Sequence, residues 1–95
     1  MNETAGIDTV ATPSLGRGFR LQWEPAQQAH VLLYPEGMVK LNASAAEILK
    51  RCDGRRTLQE IVADLETAFG TPELTKDVLS FVEFAVTKRW LEIGA

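Results

Sequence analysis

From Phe19 onward the chain alternates: Phe19, Leu21 and Trp23 are apolar, and Arg20, Gln22 and Glu24 between them are polar. A period of two predicts a half-buried strand with its apolar side chains on one face. Pro25 to Gln28 interrupts it, and His30 to Tyr34 follows as a second, more uniformly apolar strand. Pro35, Glu36 and Gly37 read as a tight turn, because proline presets its own φ and glycine accepts the backbone conformation that closes such turns. Met38 to Leu41 is then a third strand, with Val39 and Leu41 on one face and Met38 and Lys40 on the other. Connections this short do not allow crossovers, so the strands form an antiparallel meander.

The period then lengthens to that of a helix. Ser44, Ala45, Ala46 and Glu47 have the form of a capping box, in which hydroxyl and carboxylate satisfy orphan amides reciprocally. Ile48, Leu49 and Cys52 give this first helix its buried side, and Asp53-Gly54 ends it. Thr57 to Glu60 is a second capping box, followed at helical spacing by Ile61, Val62, Leu65 and Phe69 up to Gly70. Thr71-Pro72 fits an N-cap with proline at the first helical position, opening a third helix that runs to about Lys88. Trp90, Leu91 and Ile93 close the chain as a short apolar tail. Residues 1–16 show neither period and are rich in Thr, Ala, Ser and Gly, which predicts a flexible N-terminal tail and leaves 17–95 as one folded domain. The expected fold is α+β: a three-stranded antiparallel sheet followed by three helices, in a winged-helix-like arrangement.

On a wheel of 100° steps, Val78, Leu79, Phe81, Val82, Ala85, Val86 and Trp90 fill an arc of about half the circumference, wide for a surface helix. Phe84 falls outside it, beside Asp77 and Lys88. Either Phe84 packs under the N-terminal tail or the sheet, or Phe81 and Phe84 line a groove that fills when a partner arrives. The meander offers a second wall, since its outer strands leave backbone groups unpaired. An extended peptide can add to such an edge, with side pockets reading alternate residues. Equally, the edge is merely short and protected by Lys40. A strand from a second copy could use it too, giving a strand-swapped homodimer.

Composition narrows the function. The chain has 95 residues, enough for one small core, with 45% hydrophobic and 24% charged residues and a net charge of −3. Its pI of about 5.1 gives no general attraction to nucleic-acid phosphates or anionic membranes. No apolar run approaches a membrane span, and residues 1–14 lack the basic and apolar regions of a signal peptide, so a cytoplasmic location is expected. Candidate chemistry is sparse. One cysteine, Cys52, and one histidine, His30, cannot make a zinc cluster of soft ligands, and Gly16-Arg17-Gly18 lacks the rest of any phosphate loop. Cys52 lies on the apolar side of its helix and reads as a small buried thiol. Glu60 and Asp64, four apart, read as a solvated helix face. No catalytic residue, metal or cofactor is expected, so the chain reads as a binding module; a winged-helix DNA-binding protein is the alternative, opposed by Asp77 and Glu83 on the would-be recognition helix.

Val31 to Asn42, reading Val-Leu-Leu-Tyr-Pro-Glu-Gly-Met-Val-Lys-Leu-Asn, together with Ser44-Ala45, Ile48-Leu49 and Cys52-Asp53-Gly54, strongly resembles the PqqD family. Glu60-Ile61-Val62, Asp77-Val78 and Trp90-Leu91 fit as well, so the resemblance covers roughly Arg17 to Leu91. It implies a peptide-recognition domain that binds the precursor peptide PqqA and presents it to PqqE, a radical S-adenosylmethionine enzyme that joins a Glu and a Tyr side chain and holds the iron–sulfur clusters itself. It further implies that the peptide pairs with the third strand, Met38, Val39, Lys40 and Leu41, and packs on the third helix. Asp77 matches the family pattern there, while Phe81, Phe84 and Lys88 are placed beside it by the wheel. One departure stands out: many relatives carry glycine before the terminal Trp-Leu, where this chain has Arg89. Without that glycine the third helix is free to run further, which leaves the position of Trp90 open.

Overall fold

The computed structural model describes residues 7–94. Its elements are β1 (Thr12–Leu15), β2 (Arg20–Glu24), β3 (Ala29–Tyr34), β4 (Gly37–Lys40), α1 (Ala43–Lys50), α2 (Leu58–Phe69), α3 (Thr75–Thr87) and β5 (Leu91–Gly94). The expected meander is present as an antiparallel sheet in the order β2-β3-β4, and three helices follow it. Its registers pair Leu21 with Leu32 and Leu32 with Val39 across the three strands. The two-residue loop Pro35-Glu36 closes the second hairpin, since Gly37 already pairs with Tyr34. Val31 and Leu32, adjacent and therefore on opposite faces, are both fully buried, which accounts for the uniform apolarity of β3.

The flexible tail expected over residues 1–16 is corrected, as far as the described residues reach. Residues 12–15 form β1, which pairs antiparallel with β5 in a second, two-stranded sheet; residues 1–6 lie outside the described residues. The expected apolar C-terminal tail is the other half of this pair, from Leu91 to Gly94. The pairing was invisible to side-chain periodicity because β1 is Thr-Pro-Ser-Leu, small and polar side chains around a proline, with no alternation to mark it. Ala11 and Pro13 are buried, and the segment also serves α2. The Leu58 N–H donates to the Ala11 carbonyl at 2.9 Å and the Gln59 N–H to the Thr9 carbonyl at 2.9 Å. With the Glu60 N–H on Thr57 Oγ1, the first-turn amides that a helix leaves unpaired are all satisfied. The Thr57–Glu60 capping box is present as expected, and Gly70, at φ 61, ends α2 in a left-handed cap.

The other caps differ from expectation. Helix α1 is capped by Asn42, whose Oδ1 accepts from the Ala45 N–H at 2.8 Å, and not by Ser44 with Glu47. Asn42 sits at the end of the strand with extended backbone, the conformation an N-cap needs, while Ser44 is already inside the helix. Glu47 instead binds Arg51 and Lys50, and Arg51 reaches on to Asp64 of α2, joining the two helices. Its hydrogen bond to Arg51 holds the Glu47 carboxyl below the usual carboxylate range, as a bond to the same guanidinium does for Asp64. Helix α3 starts at Thr75, not at Thr71-Pro72: Glu73 takes a left-handed φ of 61, and the Leu74 N–H donates to Glu66 Oε2.

The core lies between the helices and one face of the three-stranded sheet. Leu32, Leu49, Leu58, Ile61, Leu65, Val82 and Leu91 are fully buried there or nearly so, each contributing roughly 1.5–3 kcal/mol relative to exposure. Trp23 is the exception among the residues expected on the apolar face. It is 51% exposed and meets the edge of His30, with a cleft, rather than a contact, between it and α1.

Two outcomes test this arrangement. Asn42→Ala lowers stability by about 1 kcal/mol while Ser44→Ala changes it little, read from denaturant midpoints. Gly16→Ala costs roughly 1–3 kcal/mol by overpacking, because a Cβ there collides with the Arg89 carbonyl oxygen, a backbone atom that cannot step aside.

Candidate functional site

Two features of the fold are left unpartnered. The first is the outer edge of β4. In an antiparallel pair, backbone groups alternate between facing the partner strand and facing away. The Leu41 N–H donates to the His30 carbonyl at 3.0 Å, so Leu41 and Val39 turn their backbone groups toward β3. Met38 and Lys40 therefore point their N–H and C=O groups outward, and β4 is the last strand of its sheet. The side chains follow the expected faces. Val39 is half-buried against the core and Leu41 is buried just past the strand, whereas Met38 and Lys40 are exposed. Among the described residues the opposite edge, β2, has no strand partner either.

The second feature is an aromatic group on one flank of α3. Val78, Val82 and Ala85 form the buried stripe of the helix. Phe84, one turn before the helix ends, is 48% exposed, so it is packed under neither the N-terminal segment nor the sheet. Its ring meets Trp90 edge-to-face at 5.3 Å between centroids; Phe81 lies 6.5 Å from Phe84 and 6.4 Å from Trp90. Lys88 Nζ stands over the Phe84 ring at 5.7 Å from its centroid, within cation–π reach. The structure thus brings Phe81, Phe84 and Lys88 together. Asp77 lies in the first turn of the same helix, exposed. Met38, Val39, Lys40 and Leu41 form a separate group, linked to the aromatic one through the shared core on which Val39 and Phe81 both pack.

Trp90 is the member of the aromatic group whose place the sequence left open. The helix does not run on: it stops at Thr87, and Arg89 adopts a left-handed φ of 66. The Trp90 N–H donates to the Ala85 carbonyl at 2.8 Å and the Arg89 N–H to the Val86 carbonyl at 3.0 Å, the paired bonds of a Schellman ending. Such endings bring the residue after the left-handed one back against the last turn, and that residue is Trp90 on Phe84. The available signal was the glycine that the family resemblance leads one to expect at this position; Arg89 takes a conformation that glycine adopts without strain.

Little reactive chemistry accompanies these surfaces. Cys52 is buried, its Sγ–H donates to the Ile48 carbonyl, and burial pushes its thiol up to about 12, far from a nucleophilic thiolate at neutral pH. Among the described residues, no group of three His, Cys, Asp or Glu side chains is placed to hold a metal ion. No helix among them is long and apolar enough to cross a membrane. Glu83 adds a second carboxylate to α3, and its Oε2 is buried without a hydrogen-bond partner.

Comparison with known proteins bears on what these surfaces serve. The family model described as "Coenzyme PQQ synthesis protein D (PqqD)" matches residues 29–91. The chain is similar to a protein of Azotobacter vinelandii named "PqqA binding protein", with 56% identity over 94 residues, covering 98% of this chain and 99% of that one. A protein of the same name from Stutzerimonas stutzeri is 52% identical over 88 residues, 92% of this chain and 96% of the relative. Among solved structures, the PqqD truncation of Methylobacterium extorquens PqqCD, described as a functional and stand-alone recognition element for ribosomally synthesized, modified peptides, superposes with a TM-score of 0.77 at 31% identity over 96% of this chain and 99% of that one. With the strand-and-helix order, the open β4 edge and these matches in agreement, the chain belongs to the PqqD family.

Proposed function

We propose that this chain binds the precursor peptide PqqA as an added strand and presents it to the radical S-adenosylmethionine enzyme PqqE, contributing no bond-making step of its own. The observation that carries the reading is the outward-facing pair of backbone groups at Met38 and Lys40. Main-chain hydrogen bonds of this kind give affinity without demanding a sequence, while neighbouring side chains supply selectivity. The relatives named for PqqA and the recognition-element neighbour support peptide as the occupant.

In this arrangement Met38, Val39, Lys40 and Leu41 form the pairing edge, and Asp77, Phe81, Phe84 and Lys88, joined by Trp90, form the side-chain wall. The exposed Phe84 face offers a peptide apolar area, and Lys88 and Asp77 offer it charge. Ordering a flexible peptide before it meets the enzyme lowers the entropic cost of reaching the reactive geometry. The work belongs in the cytoplasm, where a ribosomally made peptide first becomes available. A second copy adding through a strand would compete for the same β4 groups, so homodimerisation at this edge and peptide binding exclude one another. The DNA-binding alternative is not favoured: Asp77 and Glu83 on α3 would meet phosphates with the wrong sign.

Amide hydrogen exchange tests the edge directly. In the free protein the Met38 and Lys40 amides exchange fast and the Val39 and Leu41 amides slowly; saturating PqqA peptide protects Met38 and Lys40 and leaves the other two unchanged. Unaltered exchange at Met38 and Lys40 in a saturated complex would refute strand addition here. For the helix wall, Phe84→Ala costs about 0.5–1.5 kcal/mol of stability through the lost Trp90 contact. It weakens peptide binding about tenfold by calorimetric titration, the equivalent of roughly 1.4 kcal/mol.

A further inference from the structure

We propose that a cleft at the C-terminal end of α3 is an acid-recognition subsite, in which Arg17 and Arg89 receive a Glu or Asp side chain of the bound peptide. The inference rests on the peptide-binding reading above and adds a sequence requirement to it. The cleft has a volume of about 550 Å³ and is lined by Arg17, Phe19, Val86, Arg89, Leu91 and Glu92. Phe19 and Val86, both half-buried, and the buried Leu91 make an apolar floor, and both arginines are exposed at its rim. Val86 lies about 160° around the helix from Phe84, so this is not the aromatic flank. The two surfaces meet only at the helix end, where Arg89 and Trp90 are consecutive.

Charge gives the occupant its sign. Arg51 and Arg56 both have carboxylate partners within 4 Å; among the described residues the guanidinium groups of Arg17, Arg20, Arg55 and Arg89 have none, and of these Arg17 and Arg89 line one cleft. One acid, Glu92, also lines the cleft; its Oε2 accepts the backbone N–H of Arg17 at 3.1 Å and makes no ion pair with either guanidinium. Two guanidinium groups against one carboxylate leave the cleft net positive, a local reversal of sign on a chain of net charge −3. Their planar forks suit a carboxylate, and the apolar floor suits the methylene stem and an apolar neighbour that a free inorganic anion would lack.

The backbone supplies a second, independent argument. Arg89 holds a φ of 66, where a side chain is strained and glycine is not. Gln28 and Glu73 also hold a positive φ, so what this shows of Arg89 is a conformation imposed by its surroundings. The position is also fixed from outside, because the Gly16 N–H donates to the Trp90 carbonyl at 2.8 Å and Gly16 packs against the Arg89 carbonyl. Arg17, next along the chain, is thereby held beside Arg89 before any ligand arrives.

The test is calorimetric titration of the full chain and two variants, Arg89→Gly and Arg17→Gln, with synthetic PqqA peptide, with peptides in which each acidic residue in turn becomes its amide, and with a C-terminally amidated peptide. Arg89→Gly relieves the backbone and so does not lower the melting temperature, yet it binds the native peptide about fivefold more weakly at low salt, a loss that shrinks as salt rises. One amide-substituted peptide shows the same loss with the native chain and no further loss with Arg89→Gly, the coupling expected of a direct pair. Native affinity in both variants, or equal weakening toward every peptide, overturns the subsite while leaving peptide binding intact. A loss reproduced only by C-terminal amidation overturns the side-chain assignment. If the native chain binds no PqqA peptide at all, the peptide-binding reading falls, and this inference with it.

Discussion

The structure depends on a run of backbone hydrogen bonds made by residues 9–16. Thr9 and Ala11 offer carbonyls to the first turn of α2, the Pro13 carbonyl accepts the Gly54 N–H, and Gly16 donates to Trp90. Each bond is modest alone, but each satisfies a group that would otherwise be costly to leave unpaired as the segment is buried. One short segment therefore holds the start of one helix, the loop before it and the chain leaving another. It also closes the region around Leu91, the most deeply buried residue of the C-terminal strand.

This constraint reaches the two candidate surfaces unequally. The β4 edge is held by its own ladder to β3 and by Val39 and Leu41 on the core, so its geometry follows from hairpin chemistry. The aromatic flank is held differently. Phe81 and Phe84 ride on α3, but Trp90 owes its position to the Schellman ending and to Gly16 behind it. A change at the N-terminal segment would thus be felt at Trp90 before it was felt at Met38 or Lys40. On the proposed reading the rigid edge would supply main-chain affinity and the more conditional wall side-chain selectivity.

The meander and the helices were legible because side-chain periodicity reports burial, and burial organises β3, α2 and α3 in this chain. The Thr57–Glu60 box was legible because Arg55 and Arg56 before it offer no rival cap, and Gly70 because it ends the apolar period. Ser44–Glu47 had the same form but lost to Asn42, which stood at the place where extended backbone turned helical. The β1–β5 pair was hidden, since a four-residue strand containing Pro13 in a stretch of small polar residues shows no period. Trp23 misled for the reverse reason: its alternation was regular, but no element packs over that end of the hairpin. The exposed Phe84 was visible as an oddity on the wheel. Its partner Trp90 was not, because contact between them is made by a backbone ending in which an arginine does what glycine usually does.

The antiparallel pairing of β1 with β5 has an architectural consequence. Thr12 and Gly94 are register partners, so the first and last strands lie side by side at about one strand spacing, after residues 7–11 have already docked on α2 and the core. Strands paired in this way depend on each other: loss of either strips the other of its partner and uncovers the core around Leu91.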